Sequence, residues 1–265
     1  MQSGAEPAAA ATPSLNAGAA ASAGLAATVL AAIRSVLAYI AIALYVLLVA
    51  PPAILFAIGF RWKGLLYVLG HGGVRLGLLL SGIRYSVSGR EHVPPGRAVV
   101  FCANHQSNID PPVLFRALHP RLHVLYKAEL SRLPLLGRAM QVGGFVPVDR
   151  RDPERAFASI ARGAESLRAG NSFLIFPEGT RSRTDGLLPF KKGGFIMAIQ
   201  AQAPVVPVAV TGGRAAMRKG SPVVRPVTMR VRIGEPVDTT GLTVDDRDAL
   251  ILEVRGRVQA LLAEM

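Results

Sequence analysis

The longest run of apolar residues lies near the start of the chain, where no charged residue occurs between Arg34 and Arg61. As a single helix this run would extend about 39 Å, whereas the hydrocarbon core of a bilayer is roughly 30 Å thick. Pro51 and Pro52 lie within it and predict a break or a sharp kink. The pattern predicts a helical membrane anchor over residues 24–80. It is either one kinked spanning helix or a two-helix hairpin that enters one leaflet.

Residues 1–23, ahead of this run, are mostly Ala, Gly, Ser and Pro and contain a single charge, Glu6. Such a composition cannot bury a hydrophobic core, which predicts a disordered leader. The segment also lacks the basic residues that begin a cleaved signal peptide.

Beyond the anchor, the pattern changes to short apolar runs separated by segments with helical signals. Ile83, Tyr85 and Val87 alternate with polar residues, as in a strand with one exposed face. Five further runs are mostly apolar and predict buried strands: 98–102, 122–126, 145–148, 172–176 and 205–210. This alternation predicts an α/β domain over residues 81–265, with a largely parallel sheet flanked by helices.

The later run Val227–Ile233 alternates cleanly between apolar and polar residues and predicts an edge strand. Several of the buried strands are followed at once by polar or basic residues: His105, Lys127, Asp149-Arg150 and Glu178–Arg181. In a parallel sheet the residues that follow the strands lie at one rim, where α/β proteins bind their ligands. We therefore expect these side chains to converge.

Composition supports a membrane setting. The formal net charge is +13, which suits an anionic membrane surface, acidic substrates or nucleic acid. No basic motif interleaved with aromatic residues is present, so nucleic acid is not expected as a partner. Four basic residues follow the apolar run while almost none precede it, which places the domain on the cytoplasmic face of the inner membrane. They are Arg61, Lys63, Arg75 and Arg84. A hairpin anchor predicts the same location.

The most informative polar segment is Asn104–Asp110. Asp110 precedes Pro111 and Pro112, a typical helix start in which the carboxylate caps free backbone N–H groups. On one continuous helix His105 and Asp110 would point about 140° apart, so they meet only if His105 lies in the loop. A histidine held by a carboxylate can act as a general base. The segment is equally compatible with a purely capping Asp110 and a surface His105.

Cys102, three residues before His105, is the only cysteine, so a Cys–His acyl-enzyme has to be considered. Its neighbours Phe101 and Ala103 indicate an inert thiol packed within a strand. One cysteine cannot form an intrachain disulfide, and the five histidines show no metal-ligand spacing. No metal site is expected.

Two motifs together resemble the glycerolipid acyltransferases: Asn104-His105-x-x-x-x-Asp110 and Phe176-Pro177-Glu178-Gly179-Thr180-Arg181-Ser182. The likeness is greatest to the 1-acyl-sn-glycerol-3-phosphate acyltransferases and extends from about Arg84 to about Val237. It implies that His105 is the catalytic base and that Asp110 orients it. It also implies that Arg181 binds the acceptor's phosphate and that Glu178 contacts the glycerol or the loop. The implied substrate-binding residues are Glu178, Gly179, Thr180, Arg181, Arg150 and Lys127.

The function that this resemblance implies is acylation of the sn-2 hydroxyl of lysophosphatidic acid to phosphatidic acid. The donor would be acyl-CoA or acyl carrier protein, with no covalent intermediate, no metal and no other cofactor. Anionic membrane lipids are the remaining expected partners. Two alternatives stay open. One is an acyltransferase for another lysolipid, such as a lyso-ornithine lipid that lacks the phosphate. The other is a non-catalytic protein that binds anionic lipids through the basic rim.

Overall fold

The computed structural model describes residues 15–149, 151–184 and 186–265, with side chains from residue 26 onward. Among these residues seven strands form one sheet: β1 (Ile83–Ser88), β2 (Val100–Ala103), β3 (His123–Lys127), β4 (Val146–Val148), β5 (Phe173–Ile175), β6 (Val205–Thr211) and β7 (Val227–Ile233). The α-helices of the described part are α1 (Leu15–Gly59), α2 (Gly64–Leu80), α3 (Asp110–Ala117), α4 (Leu136–Gly143), α5 (Pro153–Arg168), α6 (Gly193–Ala201), α7 (Gly213–Ala216) and α8 (Arg247–Ala263).

The strand order is β1-β7-β6-β2-β5-β3-β4. The five strands from β6 to β4 are parallel to one another, β7 is antiparallel to β6, and β1 is parallel to β7. The predicted α/β architecture with a largely parallel sheet is confirmed. The prediction that residues 227–233 form an edge strand is wrong, because β1 pairs with them on the outer side. Their alternating pattern reflects a sheet face that no helix fully covers.

The middle of the sheet is apolar on both faces. All four residues of β2 are buried. Phe101 and Ala103 pack on the side of α2, α3 and α7, whereas Val100 and Cys102 pack on the side of α5, α6 and α8. Burial of one such aliphatic or aromatic side chain contributes about 1.5–3 kcal/mol. The double burial holds β2 rigidly, and it therefore fixes the position of the loop that follows it.

Helix α1 begins earlier than the composition suggested. Residues 1–14 of the expected disordered leader lie outside the described residues, but residues 15–23 are helical. Alanine has the highest helix propensity, and extending an existing helix needs no new nucleus. The Ala-rich segment therefore continues the helix that the apolar run begins.

The turn between the two N-terminal helices lies at residues 60–63, not at Pro51-Pro52. Helix α1 continues through both prolines, and Ala53 beyond them is buried. The tertiary contacts of this stretch outweigh the two backbone hydrogen bonds that proline cannot form. The expected break at this dipeptide is therefore wrong.

Helices α1 and α2 pack antiparallel against each other. The Tyr45 hydroxyl donates to the Leu69 carbonyl at 2.8 Å, and Arg34 Nε donates to the Leu80 carbonyl at 3.4 Å. The side chain of Tyr45 also lies directly against Gly73, so this glycine permits close packing of the two helices.

Helix α1 is also attached to the α/β domain. Ser35 Oγ accepts a 2.8 Å hydrogen bond from the Val224 N–H, and the Tyr39 hydroxyl donates to the Pro222 carbonyl at 2.6 Å. In the described part of the chain, Ala26–Gly59 is the one segment long and apolar enough to cross a membrane, judged by length and composition. Most of its large apolar side chains face outward.

Candidate active site

The polar segment Asn104–Asp110 lies at the centre of one rim of the sheet. It follows β2, which pairs in parallel with β5 on one side and with β6 on the other. The loops after these three strands are therefore neighbours, as the sequence predicted from their parallel direction. The His105 side chain is 16% exposed and remains open to this rim.

His105 and Asp110 are in direct contact. The distance between His105 Nδ1 and Asp110 Oδ2 is 3.0 Å, and the carboxylate is fully buried. A carboxylate accepts hydrogen bonds only, so the Nδ1 atom carries a proton. The free lone pair of the neutral ring is then on Nε2. The imidazole is thus oriented for proton abstraction from a group bound at the rim.

Asp110 does not cap its own helix in the manner that the sequence suggested. Its Oδ2 atom accepts 2.7 Å hydrogen bonds from the backbone N–H groups of Gln106 and Ser107, which precede the helix. Pro111 and Pro112 have no N–H groups, so the first turn of α3 leaves fewer donors for the carboxylate to satisfy. The two prolines thereby leave Asp110 available to the loop and to His105.

The loop after β5 holds the backbone of His105 from both sides. Glu178 Oε1 accepts the His105 N–H at 2.7 Å, and the Ser182 N–H donates to the His105 carbonyl at 2.7 Å. The ring of Phe176 stacks on the imidazole with centroids 4.2 Å apart. The two motifs that the sequence places about 70 residues apart therefore form one unit.

Both oxygens of the Glu178 carboxylate are occupied by backbone groups. Oε2 accepts the Leu188 N–H at 3.0 Å, and the residue is only 3% exposed. Burial raises the pKa of Glu178, while the two N–H donors act in the opposite direction. Of the two roles considered for Glu178, contact with the loop is observed, and contact with the glycerol stays a prediction.

Asn104 joins the loop to β6. Its side-chain amide donates to the Val210 carbonyl at 2.9 Å and accepts from the Val210 N–H at 2.8 Å. The amide thereby extends the β2–β6 ladder by one step beyond the end of the strand. The sequence singled out Asn104 as part of a motif but did not indicate this contact.

Gly213, at the start of α7, lies against the buried side of Asp110. A Cβ atom at this position would overlap Asp110 Oδ1, an atom that has no hydrogen-bond partner among the described residues. Only glycine permits this approach. The double glycine after β6 was visible in the sequence, but its contact with the carboxylate was not.

Arg181 is positioned next to His105 by its neighbours in the chain. Ser182 contacts the histidine backbone directly, and Gly179 has a φ of +70°, a conformation that favours glycine. Within the described part of the chain, the Arg181 guanidinium has no hydrogen bond or ion pair. A half-exposed guanidinium without a counter-ion at a rim is suited to an anionic ligand.

Lys219 fixes the same loop and was missed by sequence reasoning. Its ammonium donates to the Arg181 carbonyl at 2.9 Å and to the Thr180 hydroxyl at 3.2 Å. It comes from the segment after α7, about 40 residues further along the chain, and no motif marks it. It adds a positive charge to this part of the rim, next to Arg181.

The two remaining predicted residues differ in what the structure says of them. Lys127 ends β3, two strands and thus about 10 Å from β2, and pairs with Glu129 at 3.1 Å. It lies at the same rim but not in contact with the loop. Arg150 lies outside the described residues, so its predicted role stays a prediction.

Cys102 is fully buried, and burial raises the pKa of its thiol far above the usual range. A thiol held protonated within β2 cannot serve as a nucleophile. No group of three or more His, Cys, Asp or Glu side chains suited to a metal ion is found among the described residues.

Comparisons with known proteins agree on one class. The acyltransferase family model matches residues 84–211. The 1-acyl-sn-glycerol-3-phosphate acyltransferase alpha of Mus musculus is 34% identical over 188 residues, which is 70% of this chain and 66% of that protein. The 1-acyl-sn-glycerol-3-phosphate acyltransferase of Saccharomyces cerevisiae is 34% identical over 190 residues, 71% of this chain and 62% of that protein. The chain thus spans slightly less than two thirds of the curated relatives' length.

A solved structure agrees with the fold over nearly its whole length. The crystal structure of the 1-acyl-sn-glycerophosphate acyltransferase of Thermotoga maritima has a TM-score of 0.67 and 26% identity to this chain. The match covers 88% of this chain and 97% of that one. The similarity therefore includes most of the N-terminal helices as well as the α/β domain.

Proposed function

Because this chain belongs to the acyltransferase family, we propose that it acylates the sn-2 hydroxyl of lysophosphatidic acid and so makes phosphatidic acid. The acyl donor is the thioester of coenzyme A or of acyl carrier protein. One observation carries the proposal. The His105–Asp110 pair lies at the rim of the sheet beside a guanidinium, Arg181, that has no counter-ion among the described residues.

In the proposed reaction His105 Nε2 takes the proton of the sn-2 hydroxyl while the hydroxyl oxygen attacks the thioester carbonyl carbon. A C–O bond forms, the tetrahedral intermediate collapses, and the C–S bond breaks. The proton passes from the imidazolium to the departing sulfur. Asp110 stabilises the imidazolium and keeps the ring oriented. No acyl-enzyme, metal or other cofactor takes part.

The acceptor's phosphate is assigned to Arg181, which can donate two parallel hydrogen bonds to it. Gly179 and Thr180 shape the same loop. Glu178 acts by holding the backbone of His105. Lys127 adds positive charge at the rim, and Arg150 stays an expected phosphate contact. The phosphate is thereby placed next to the base, so that the nearby hydroxyl reaches His105.

We further propose that the enzyme is anchored in the inner membrane by α1 and α2, with its catalytic domain on the cytoplasmic face. The outward-facing apolar side chains of α1 support the anchor, and the basic residues that follow it support the orientation. Both substrates are then available, since lysophosphatidic acid resides in the membrane and acyl thioesters are cytoplasmic.

The test is an assay of the purified full chain with a panel of lysolipids and both donors, and with products identified by mass. We expect phosphatidic acid from lysophosphatidic acid, in the presence of a metal chelator. His105→Ala should lower the rate by about 10²–10⁴-fold. The matched control is Cys102→Ala, which should retain most of the rate. A preference for a lysolipid without phosphate, or a near-normal rate for His105→Ala, would contradict the proposal.

A further inference from the structure

A cavity lies at the amino ends of the parallel strands, whereas His105 follows the carboxyl end of β2. Its volume is about 340 Å³, and it is lined by His123 at the start of β3, by Gly144 before β4 and by Asn171 before β5. These strands are parallel to β2, so their amino ends lie one strand length away from the rim that carries the catalytic loop. For β3 this length is about 13 Å. The cavity is therefore separate from the candidate active site.

The charge of this cavity is strongly positive. Arg61, Lys63 and Arg121 line it, and no Asp or Glu residue does. Within the described residues, none of these three side chains has a hydrogen bond or an ion pair. Burial, followed by the charge of Lys63, lowers the pKa of His123 to about 4, so its imidazole is neutral at physiological pH. Three cations without counter-ions leave the cavity suited to an anion.

Neutral hydrogen-bonding groups also line the cavity. Ser166 Oγ lies 3.3 Å from His123 Nδ1 and accepts from the Asn171 side-chain amide at 3.2 Å. Cations around polar neutral groups are the combination that recognises a phosphate. Trp62 and Tyr67 add aromatic surface to the lining.

One lining residue, Trp62, also belongs to an exposed aromatic cluster at the turn between α1 and α2. We call Phe56, Phe60 and Trp62 the aromatic tip. Phe60 is 72% exposed and Trp62 is 55% exposed, and both rings pack on Phe56 with centroids 4.5 Å and 5.7 Å away. Exposed aromatic side chains next to basic residues are typical of the membrane–water interface. A binding site for a free phosphate ion would not require an exposed aromatic surface.

We propose that this cavity binds the phosphate head group of an anionic phospholipid, whose acyl chains lie along the aromatic tip. The lipid neither reacts nor approaches His105. The bound lipid attaches the turn between α1 and α2 to the anionic membrane surface, and the phosphate of the lipid pairs with Lys63 and Arg121. The proposal does not depend on the acyl-transfer reaction.

The chain contains a single tryptophan, Trp62, so its fluorescence reports on this cavity alone. The full chain in uncharged detergent micelles is titrated with phosphatidylglycerol, with phosphatidylcholine of the same acyl chains and with inorganic phosphate. Phosphatidylglycerol is chosen because it is neither substrate nor product of the proposed reaction. We expect a saturable change in Trp62 emission with phosphatidylglycerol and none with phosphatidylcholine.

The variant Lys63→Gln/Arg121→Gln should raise the half-saturating concentration about tenfold, because two charge-assisted contacts are lost. The matched control Arg90→Gln/Arg97→Gln removes the same charge from exposed positions in the segment between β1 and β2, outside the cavity lining, and it should change the value less than twofold. His105→Ala should titrate like the parent, which separates this result from the catalytic assignment.

Three outcomes would overturn the proposal. Equal responses to the two lipids would mean that the cavity does not distinguish an anionic head group from a zwitterionic one. Equal losses in the two double variants would mean that net charge alone is sensed. A full response to inorganic phosphate, with displacement of the lipid at equal concentration, would assign the cavity to a free anion. Should the double variant not fold, the single variants Lys63→Gln and Arg121→Gln provide the same comparison.

Discussion

Asp110 accepts three hydrogen bonds through a single oxygen, from the His105 imidazole and from the N–H groups of Gln106 and Ser107. One carboxylate therefore fixes both the conformation of the loop and the tautomer of the base. Its second oxygen faces Gly213 at a distance that leaves no space for a side chain. At the scale of single residues, the site requires a residue without a side chain at position 213 as well as the groups that contact the substrate.

This contact leads to the prediction that Gly213→Ala disrupts catalysis without removing any functional group. The new methyl would push the Asp110 carboxylate away and so displace the imidazole, and a misplacement of about 1 Å can cost about 10²-fold in rate. We expect kcat to fall by at least about tenfold while the Michaelis constant for lysophosphatidic acid changes little. The control is Gly256→Ala in α8, where a methyl meets open space. An unchanged kcat for Gly213→Ala would show that Asp110 does not position the base.

A second prediction separates phosphate recognition from chemistry. Arg181→Lys keeps the positive charge but loses the guanidinium's second hydrogen bond, which should lower kcat/KM for lysophosphatidic acid by about ten- to a hundredfold. With monoacylglycerol, which has no phosphate, the loss should be much smaller. The ratio of kcat/KM for lysophosphatidic acid to kcat/KM for monoacylglycerol is measured for Arg181→Lys. It is compared with the same ratio for Arg90→Lys, because Arg90 lies away from the rim. Equal losses on both acceptors would remove the phosphate assignment.

At the scale of elements, α1 is part of the domain and not a detachable anchor. Ser35 and Tyr39 hydrogen-bond the segment 222–224, and Arg34 reaches the end of α2. That segment precedes β7, so the anchor is connected to the sheet through the described contacts. Removing residues 1–60 would therefore expose the inner face of α2 in addition to removing the proposed membrane anchor.

We predict that Ser35→Ala/Tyr39→Phe lowers the stability of the whole protein. The change leaves the buried Val224 N–H without an acceptor, which costs about 1–3 kcal/mol and should lower Tm by several degrees. Thermal unfolding of the full chain in detergent measures it. Tyr85→Phe is the control, because the Tyr85 hydroxyl has no hydrogen bond within the described residues. No change in Tm would indicate an anchor that is independent of the domain.

At the scale of the whole molecule, the parallel sheet separates two basic regions. The carboxyl ends of the strands carry His105 and Arg181, and the amino ends carry His123 with its three cations. The cations at the amino ends lie next to the turn between α1 and α2, because Arg61 and Lys63 belong to that turn.

The buried His123 predicts a pH dependence of stability. Its pKa falls from 6.5 to about 4 in the folded protein because of burial and the nearby Lys63. Between these values the unfolded chain binds a proton that the folded chain does not, so stability falls as the pH is lowered from 6.5 to 4. The loss amounts to about 3 kcal/mol at most. Denaturant unfolding at several pH values should give a flatter profile for His123→Gln than for the parent.

The control for this measurement is His119→Gln, which removes a histidine from a half-exposed loop. Its profile should follow that of the parent. A parent-like slope in His123→Gln would place the acid sensitivity elsewhere in the molecule.

Local patterns were sufficient for much of the architecture, whereas the choice of candidate residues also needed the resemblance to a known family. The apolar runs predicted the strands because a buried parallel strand needs hydrophobic side chains on both faces, as in β2. The spacing of His105 and Asp110 and the prolines after Asp110 already required a loop followed by a helix start. The rim was predictable because parallel strands end at one edge.

Tertiary structure alone decided which partners the side chains found. Asp110 hydrogen-bonds the loop before its helix, Glu178 hydrogen-bonds the backbone of His105, and Lys219 hydrogen-bonds the loop of Arg181. The distance between the two groups in each of these bonds is set by how the chain packs. The same holds for α1, where burial against α2 carries the helix through Pro51 and Pro52. The spacing of hydrophobic residues along a strand or helix can be read from neighbouring positions in the sequence. Hydrogen-bond partners, and whether another strand pairs with a given strand, depend on segments that are far apart in the chain.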